Sequence, residues 1–311
     1  MFLRIEYFFP TPLSRGSLVP PMSVANTLRW STWLGWQVES NWADARLFIL
    51  YLVVKPVCGS LMLVCMVYAA SAGFPGRVPV EFLPYIYISN ACYGLVGAVM
   101  FGMSNVVITD RENYRMLKYI FISPGHFQAY FVGRGLAKAM EGVVGAAITI
   151  SVGLMIPAVR DGFQNQGLDV FWLLTFLLIG GVMLWAAGMI LASAVLNMSR
   201  SGMFLSEGIA GFVYFLSGVV FPVSVLPGWM QAVGMSLPTT YWLEGMRRAI
   251  IGPPPAGSPL AASPLTAWSN GELAAMLLAT TAGLVVVSQW FYRYSVKRAW
   301  KRGKIEETTG L

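Results

Sequence analysis

Six long apolar stretches dominate the hydrophobic pattern of this 311-residue chain. A helix needs about 20 mostly apolar residues to cross the hydrocarbon core of a bilayer. The third and fifth stretches are interrupted by Glu141 and Glu207, whereas the others are more uniformly apolar. The pattern predicts an all-α membrane protein whose six transmembrane helices cover residues 47–70, 84–109, 139–158, 170–196, 203–222 and 272–292 of a transmembrane domain at 47–292.

The segments that flank this domain have their own patterns. Residues 26–46 mix four tryptophans with charged side chains, which favours an amphipathic helix lying in the membrane interface. That helix is either a plain anchor or an element that transmits motion to the first span. Residues 1–25 are proline-rich, are expected to form a flexible leader without a signal peptide, and contain an alternative start at Met22. Residues 293–311 form a basic tail.

The positive charge is distributed asymmetrically along the chain. Only 11% of the residues are charged, and the formal net charge is +7. With six spans, 16 of the 21 Lys and Arg residues fall on the side of the two termini, against four on the other side. Because Lys and Arg accumulate in cytoplasmic loops, both termini are predicted to be cytoplasmic in a plasma or inner membrane. The charge follows the spans, so no nucleic-acid partner is expected.

The predicted loop at residues 110–135 contains an amphipathic pattern. Asp110 is placed to cap a helix, and on helical spacing Arg111, Arg115 and Lys118 share one edge beside an edge of Tyr114, Leu117 and Phe121. Ser123, Pro124 and Gly125 would then end that helix. The pattern fits either a positive-inside loop or a docking element for a soluble partner.

The stretch after the fifth predicted span is apolar but broken. Pro222, Pro227 and Pro238 prevent one continuous helix. Irregular backbone at membrane depth is tolerated where it packs against protein or lines a cavity. Residues 222–252 therefore predict a re-entrant hairpin in the outer leaflet, with short helices at about 228–236 and 240–251.

Several kinds of chemistry have no signal in the sequence. The phosphate-loop pattern GxxxxGK[ST] does not occur, so we expect no ATPase site in this chain and no cofactor bound by it. HExxH, GxSxG and CxxC do not occur either. Cys58, Cys65 and Cys92 lie in apolar stretches and His126 is the single histidine, so neither a metal site nor a disulfide framework is expected.

Three charges fall inside predicted spans, beyond the terminal residues of those spans, where ionised groups are costly and often functional. Lys55 precedes a proline in the first span. Glu141 follows Lys138 by three residues, which favours a local ion pair. Glu207 is expected to snorkel or to pair with Arg200.

The broken segment carries a motif of known type. Residues 216–252 have the form SG-x(3)-P-x(3)-LP followed by P-x(5)-EG-x-R, and the motif residues are Ser217, Gly218, Pro222, Leu226, Pro227, Pro238, Glu244, Gly245 and Arg247. This segment resembles the corresponding part of the type-2 ABC export permeases. The loop from Asp110 to Pro124 and the basic tail are similar to the same family, and the resemblance extends from Trp30 to the C-terminus.

The resemblance implies a partnership and a set of site residues. Permeases of this family form homodimers or heterodimers in the lipid bilayer, and each docks on a separate ATP-binding subunit that carries ATP and Mg. The implied coupling residues are Arg111, Glu112, Tyr114, Arg115, Leu117, Lys118 and Phe121. Glu244 and Arg247 would form a polar pair in the outer hairpin, and Tyr93, Phe101, Phe212 and Phe215 are expected to line a substrate pathway.

The implied function is ATP-driven export by alternating access. An aromatic and Met-rich interior suits an amphiphile such as a drug, a lipid or a glycan-lipid. An ion-coupled secondary transporter is one alternative, although the halves of the chain show no convincing repeat. A lipid-modifying membrane enzyme is another, disfavoured because no cluster of catalytic groups is evident.

Overall fold

The fold is all-helical. The structure, a computed structural model, describes residues 23–41, 44–73, 82–123, 125–164, 167–198, 202–254 and 263–303, and it contains no strand in those ranges. The predicted leader as far as Met22, the tail beyond residue 303, and Arg200 lie outside the described residues.

Five helical segments are long and apolar enough to cross a membrane within the described ranges. They are α2 (Ala45–Gly73), a continuous rod over Phe82–Asn113, α6 (Phe127–Gly153), α8 (Val170–Leu196) and α12 (Asn270–Lys301). The rod consists of α3 (Phe82–Val96), a π-helical turn at Gly97–Phe101, α4 (Gly102–Ile108) and a second π-helical turn at Thr109–Asn113. These segments confirm the predicted multi-pass architecture.

The remaining helices are shorter. α1 (Val24–Asn41) precedes the first span, α5 (Leu117–Ile122) follows the rod, and α7 (Pro157–Gln164) follows α6. The predicted fifth span is the 15-residue helix α9 (Gly202–Leu216), which is shorter than expected because Ser217 to Leu226 leave the α-helical path. α10 (Gly228–Ser236) and α11 (Pro238–Ile251) confirm the two predicted short helices, while their depth in the membrane stays a prediction.

Local sequence explains where several helices begin and end. The Asp169 side chain caps α8 by accepting a hydrogen bond from the Trp172 amide, and Ser269 and Glu272 form a capping box at the start of α12. Pro238 occupies the first turn of α11, where its missing N–H costs nothing. Gly252 ends α11 with a φ of 79°, a conformation that favours glycine.

Helix α1 packs along α6 instead of standing apart from the bundle. A Cβ on Gly35 would come within 2.7 Å of the Ala137 Cβ, so the helices touch backbone to backbone there. The Ser31 hydroxyl, buried at the same interface, also approaches the Ala129 carbonyl oxygen at 3.4 Å. α1 is therefore fixed to the first half of α6.

The largest apolar cluster joins α8 and α11 with α3 and α12. Trp242 of α11 is fully buried, and its indole N–H donates to the Phe176 carbonyl oxygen at 2.9 Å. A Cβ on Gly245 would lie 2.4 Å from the Phe176 ring, so no side chain fits between the helices. This packing fixes α11 in place and positions its charged residues.

Candidate functional site

An open cleft of about 470 Å³ lies among α2, the Phe82–Asn113 rod, α6 and α9. Its wall includes Lys55, Glu141 and Glu207, the three charges that the sequence predicts to lie inside spans. Asn90 and Asn105 add amide groups to the same wall. Residues from four separate helices therefore converge on one polar recess within an apolar bundle.

The charges of the cleft are partly neutralised. Lys138 forms ion pairs with Glu141 at 3.0 Å and with Glu39 of α1 at 2.6 Å, which confirms the predicted local pair and adds a second partner. The Lys55 ammonium donates to the Tyr51 hydroxyl at 2.8 Å. Glu207 is exposed on α9. The cleft can thus accept a ligand that carries both polar groups and an apolar body.

The predicted pathway residues divide into two groups. Tyr93 and Phe101 line the cleft, and the Tyr93 hydroxyl donates to the Ala210 carbonyl oxygen at 2.7 Å. Phe212 and Phe215 do not line it, because both side chains project from the exposed face of α9.

Small residues keep the cleft open. The sequence carries Gly94, Ala98 and Gly102 at four-residue intervals, and all three line the cleft. A Cβ on Gly94 would have no neighbour within 4 Å, whereas one on Gly102 would lie 3.0 Å from the Lys138 side chain. This row of small residues therefore borders open space at Gly94 and packs against the Lys138 side chain at Gly102.

A second polar group is buried at α11. Glu244 forms ion pairs with Arg247 at 2.7 Å and with Arg248 at 2.9 Å. Burial alone would raise the pKa of the Glu244 carboxyl, but the two guanidinium groups outweigh it and hold that pKa below its usual range. The polar pair of Glu244 and Arg247 expected from the sequence is present, with Arg248 as a third member.

Arg247 connects α11 to two other elements. Its Nη1 donates to the Ser89 hydroxyl of α3 and to the Gly218 carbonyl oxygen, both at 2.9 Å. Its guanidinium carbon lies 4.1 Å from the centroid of the Tyr85 ring. Gly218 has a φ of 74°, which explains a glycine at the turn after α9. One side chain thus links α3, α11 and this turn.

Arg248 joins α11 to the segment that precedes α12. Its guanidinium donates to the carbonyl oxygens of Trp268 at 2.5 Å and Leu265 at 2.6 Å, just before α12. Arg248 was not among the site residues predicted from the sequence. The spacing of Glu244 to two consecutive arginines, three and four residues on, is the signal that could have found it.

The three prolines of the broken segment mark helix boundaries. Pro222 precedes a 3-10 turn at Val223–Val225, Pro227 immediately precedes α10, and Pro238 begins α11. The Gln231 side-chain amide donates to the Ser224 and Leu226 carbonyl oxygens at 3.0 and 2.7 Å. The irregular backbone is therefore held by hydrogen bonds from a short helix.

The predicted coupling helix is not one helix. The rod continues to Asn113, the chain breaks at Tyr114 to Met116, and Arg115 adopts a left-handed φ of 49°. The prediction of one helix over residues 111–121, with a basic edge beside an aromatic edge, is therefore wrong. The break at Tyr114 to Met116 changes the helical register, so these side chains do not share common edges. Helix α6 begins at Phe127, so the chain is already helical over the last part of the predicted 110–135 loop.

The expected coupling residues differ in accessibility. Leu117 is buried in a cluster with α6 and α8, and Arg111 is buried with its Nη1 3.5 Å from the Leu196 carbonyl oxygen. Glu112 accepts from the Arg111 Nε at 3.0 Å. The remaining side chains of the set are exposed or half-buried: Tyr114, Arg115, Lys118 and Phe121. Tyr119 and Ile122, which the pattern did not select, are exposed beside them.

Asp110 belongs to a buried polar group instead of capping a helix. Its carboxylate accepts from the Tyr130 hydroxyl at 2.5 Å and from Arg134 Nη2 at 3.3 Å. Asp110 and Arg134 are 0% and 1% exposed. The contact ties the end of the rod to the start of α6, close to where α1 packs.

Comparison with known protein families assigns the chain to a transporter family. No group of three or more His, Cys, Asp or Glu side chains in the described ranges could hold a metal ion. A search of curated proteins found no match. A family model described as ABC-2 type transporter matches residues 28–251, which include most of α1, the cleft, the buried Glu244 group and the segment after the rod. The chain belongs to the ABC-2 type transporter family, whose membrane domains are permease subunits without an ATPase site of their own.

Proposed function

We propose that this chain is the permease subunit of an ATP-driven exporter, and that it moves an amphiphile outward by alternating access. The observation that carries the proposal is the cleft, which places Lys55 and Glu207 beside the aromatic wall of Tyr93 and Phe101 in a family of transporter membrane domains. An amphiphile would match the polar groups with its head and the aromatic wall with its body.

The proposed topology has six crossings, with α9 as the fifth. Its 15 residues extend about 23 Å, less than the roughly 30 Å of a hydrocarbon core. The irregular segment from Ser217 to Leu226 would complete the crossing, with α10 and α11 as a re-entrant hairpin. Six crossings and the asymmetry of positive charge then give two cytoplasmic termini in a plasma or inner membrane.

A separate ATP-binding subunit would dock on the segment after the rod. Its exposed side chains include Tyr114, Tyr119 and Ile122, with Lys118 beside Tyr119 at 5.2 Å from the ring centroid. Aromatic and apolar anchors of this kind usually dominate interface energies. Leu117 is too buried for direct contact and would instead hold the docking surface on the bundle.

One buried contact and one half-buried contact offer a path from that surface to the cleft. Asp110 and Arg134 join the rod to α6, and Lys138 lies one helical turn further along α6. Because Lys138 pairs with Glu39 of α1 and with Glu141 in the cleft, movement of α6 would move both. This favours α1 as an element that transmits motion over α1 as a plain anchor.

A second protomer would cover the exposed face of α9. Phe212 and Phe215 are 53% and 45% exposed there, and the cleft opens beside the same helix. Pairing two protomers across this face would enclose two clefts in one central pathway. We therefore assign Phe212 and Phe215 to the dimer contact instead of to the wall of the cleft.

An ion-coupled secondary transporter is the second candidate. The convergence of Lys55, Glu141 and Glu207 on one cleft favours it, because ion relays need such groups close together. The pairing of Glu141 with Lys138 argues against it, since that carboxylate is already neutralised.

Co-purification with a candidate ATP-binding subunit tests the exporter proposal. A Tyr114→Ala and Tyr119→Ala double variant should weaken the complex by about tenfold or more while leaving the permease folded. Leu117→Ala should instead lower the stability of the permease itself by about 2–5 kcal/mol. An unchanged complex and unchanged ATP turnover in the tyrosine variant would exclude the docking surface, and transport by the chain alone on an ion gradient would favour the second candidate.

A further inference from the structure

We infer that the last three turns of α12 form a binding site for the phosphate group of an anionic phospholipid. An open recess of about 560 Å³ there is lined by Tyr294, Lys297, Arg298, Lys301 and Arg302. The inference depends on the membrane crossing of α12 and is independent of the proposed exporter role.

Helical geometry places these side chains on one face. Residues separated by three, four, seven and eight positions lie above one another on an α-helix, which is the spacing of Lys297, Arg298, Lys301 and Arg302 from Tyr294. The Tyr294 hydroxyl accepts from Arg298 Nη1 at 3.2 Å. Trp290, one turn earlier, stacks on Tyr294 with ring centroids 6.1 Å apart. We call this face of α12 the stripe: it is aromatic at Trp290 and Tyr294 and cationic from Lys297 to Arg302.

The depth of the stripe matches the headgroup region. α12 has 32 residues, or about 48 Å of helix, whereas the hydrocarbon core is about 30 Å thick. If the crossing starts after the capping box at Glu272, about 20 residues carry it to Tyr292. Trp290 and Tyr294 then lie at the boundary that such rings prefer, and the cations lie at the depth of lipid phosphates.

The four cations are available to an anion. Within the described ranges, no carboxylate pairs with Lys297, Arg298, Lys301 or Arg302, and all four are exposed. A guanidinium offers a two-pronged contact to phosphate oxygens, and lysines add charge around it. A phospholipid fits better than free phosphate, because its acyl chains continue from the cationic recess along the apolar surface of α12 past Trp290.

Native mass spectrometry of the purified full chain, with equal amounts of phosphatidylglycerol and phosphatidylcholine in the detergent micelle, tests this site. The chain should retain phosphatidylglycerol preferentially. Arg298→Gln should reduce that preference about fivefold, the effect of one cation at a lipid surface. Arg293→Gln is the matched control, because it removes the same charge from an exposed position of α12 outside the recess. It should change the preference less than twofold.

Two further measurements complete the test. A Lys297→Gln, Arg298→Gln, Lys301→Gln variant should lose the preference while keeping its elution profile, since these side chains are exposed. Inorganic phosphate at millimolar concentration should not displace the lipid. Equal losses in Arg293→Gln and Arg298→Gln, a preference retained by the triple variant, or displacement by phosphate would each overturn the assignment.

Discussion

The Arg247 guanidinium carbon lies over the Tyr85 ring, 4.1 Å from its centroid, and both side chains donate a hydrogen bond to the Gly218 carbonyl oxygen. That carbonyl belongs to the turn at which the chain leaves α9. Tyr85 is on α3 and Arg247 is on α11. Helix α3, helix α11 and the turn after α9 therefore meet at one carbonyl oxygen.

Replacing Arg247 should destabilise the protein strongly. Arg247→Ala removes contacts to Ser89, Gly218 and Glu244 in a buried site, and we expect a loss of about 3–5 kcal/mol in the free energy of unfolding. Arg247→Lys keeps the charge but not the forked geometry, so it should recover only part of that loss. Thermal unfolding in detergent measures both. Arg160→Ala, an exposed arginine on α7, is the control and should change the stability by less than about 0.5 kcal/mol.

Glu244 should give the protein a component of stability that is lost in acid. Its pKa in the folded state lies below the ordinary value of 4.5, so its ion pairs contribute fully above that value. The contribution disappears as the pH falls through the lowered pKa. Glu244→Gln should therefore be less stable than the parent at pH 7, with a difference that narrows below about pH 4.5. Thermal unfolding of both proteins in detergent at a series of pH values measures the difference, and a difference that stays constant down to about pH 4 would contradict the prediction.

Two neighbouring glycines of α8 should respond oppositely to the same substitution. A Cβ on Gly180 would collide with the Trp242 indole ring, whereas one on Gly181 would meet nothing within 4 Å. Gly180→Ala should cost about 1–3 kcal/mol by forcing α11 away from α8. Gly181→Ala should be neutral or stabilising by up to about 1 kcal/mol, because alanine favours a helix. Equal unfolding temperatures for the two variants would contradict the packing of Trp242.

Filling the cleft should abolish transport without unfolding the protein. Gly94 faces the open space of the cleft, so Gly94→Leu adds volume where a substrate would lie. We expect loss of transport in proteoliposomes that contain the complete complex, with a change in stability of less than about 1 kcal/mol. Gly181→Leu adds the same side chain outside the cleft and should leave transport intact. Full transport by the Gly94→Leu variant would show that the substrate does not pass through the cleft.

The predicted topology can be tested by labelling single cysteines. In a background without Cys58, Cys65 and Cys92, an impermeant maleimide should label Arg160→Cys in intact cells. Lys118→Cys and Lys301→Cys should react only after the membrane is permeabilised. All three target positions are exposed, so access through the membrane decides the outcome. Labelling of Lys301→Cys in intact cells would show that the orientation is opposite to the predicted one.

The sequence alone determined the elements that depend on local properties. A spanning helix must satisfy its backbone polar groups within itself and be apolar for about 20 residues, so length and composition reveal it. α8 was predicted with its observed bounds, and so was α10. The ion pair of Lys138 and Glu141 was also predictable, because three residues of helix fix their separation.

The tertiary structure decided which predicted residues share a site. Glu39 meets Lys138, and Asp110 meets Arg134, only because separate helices pack together. The same packing buries Leu117, which a helical pattern had placed on an exposed docking edge.

The cleft itself is the clearest product of packing. Lys55, Glu141 and Glu207 are far apart in the sequence, and nothing in the pattern of apolar residues indicates which helices will be neighbours. In lipid, helix contacts depend on close fit and small residues more than on hydrophobicity. The sequence therefore determined that these charges lie within apolar segments, and the fit of the helices decided that they line one cleft.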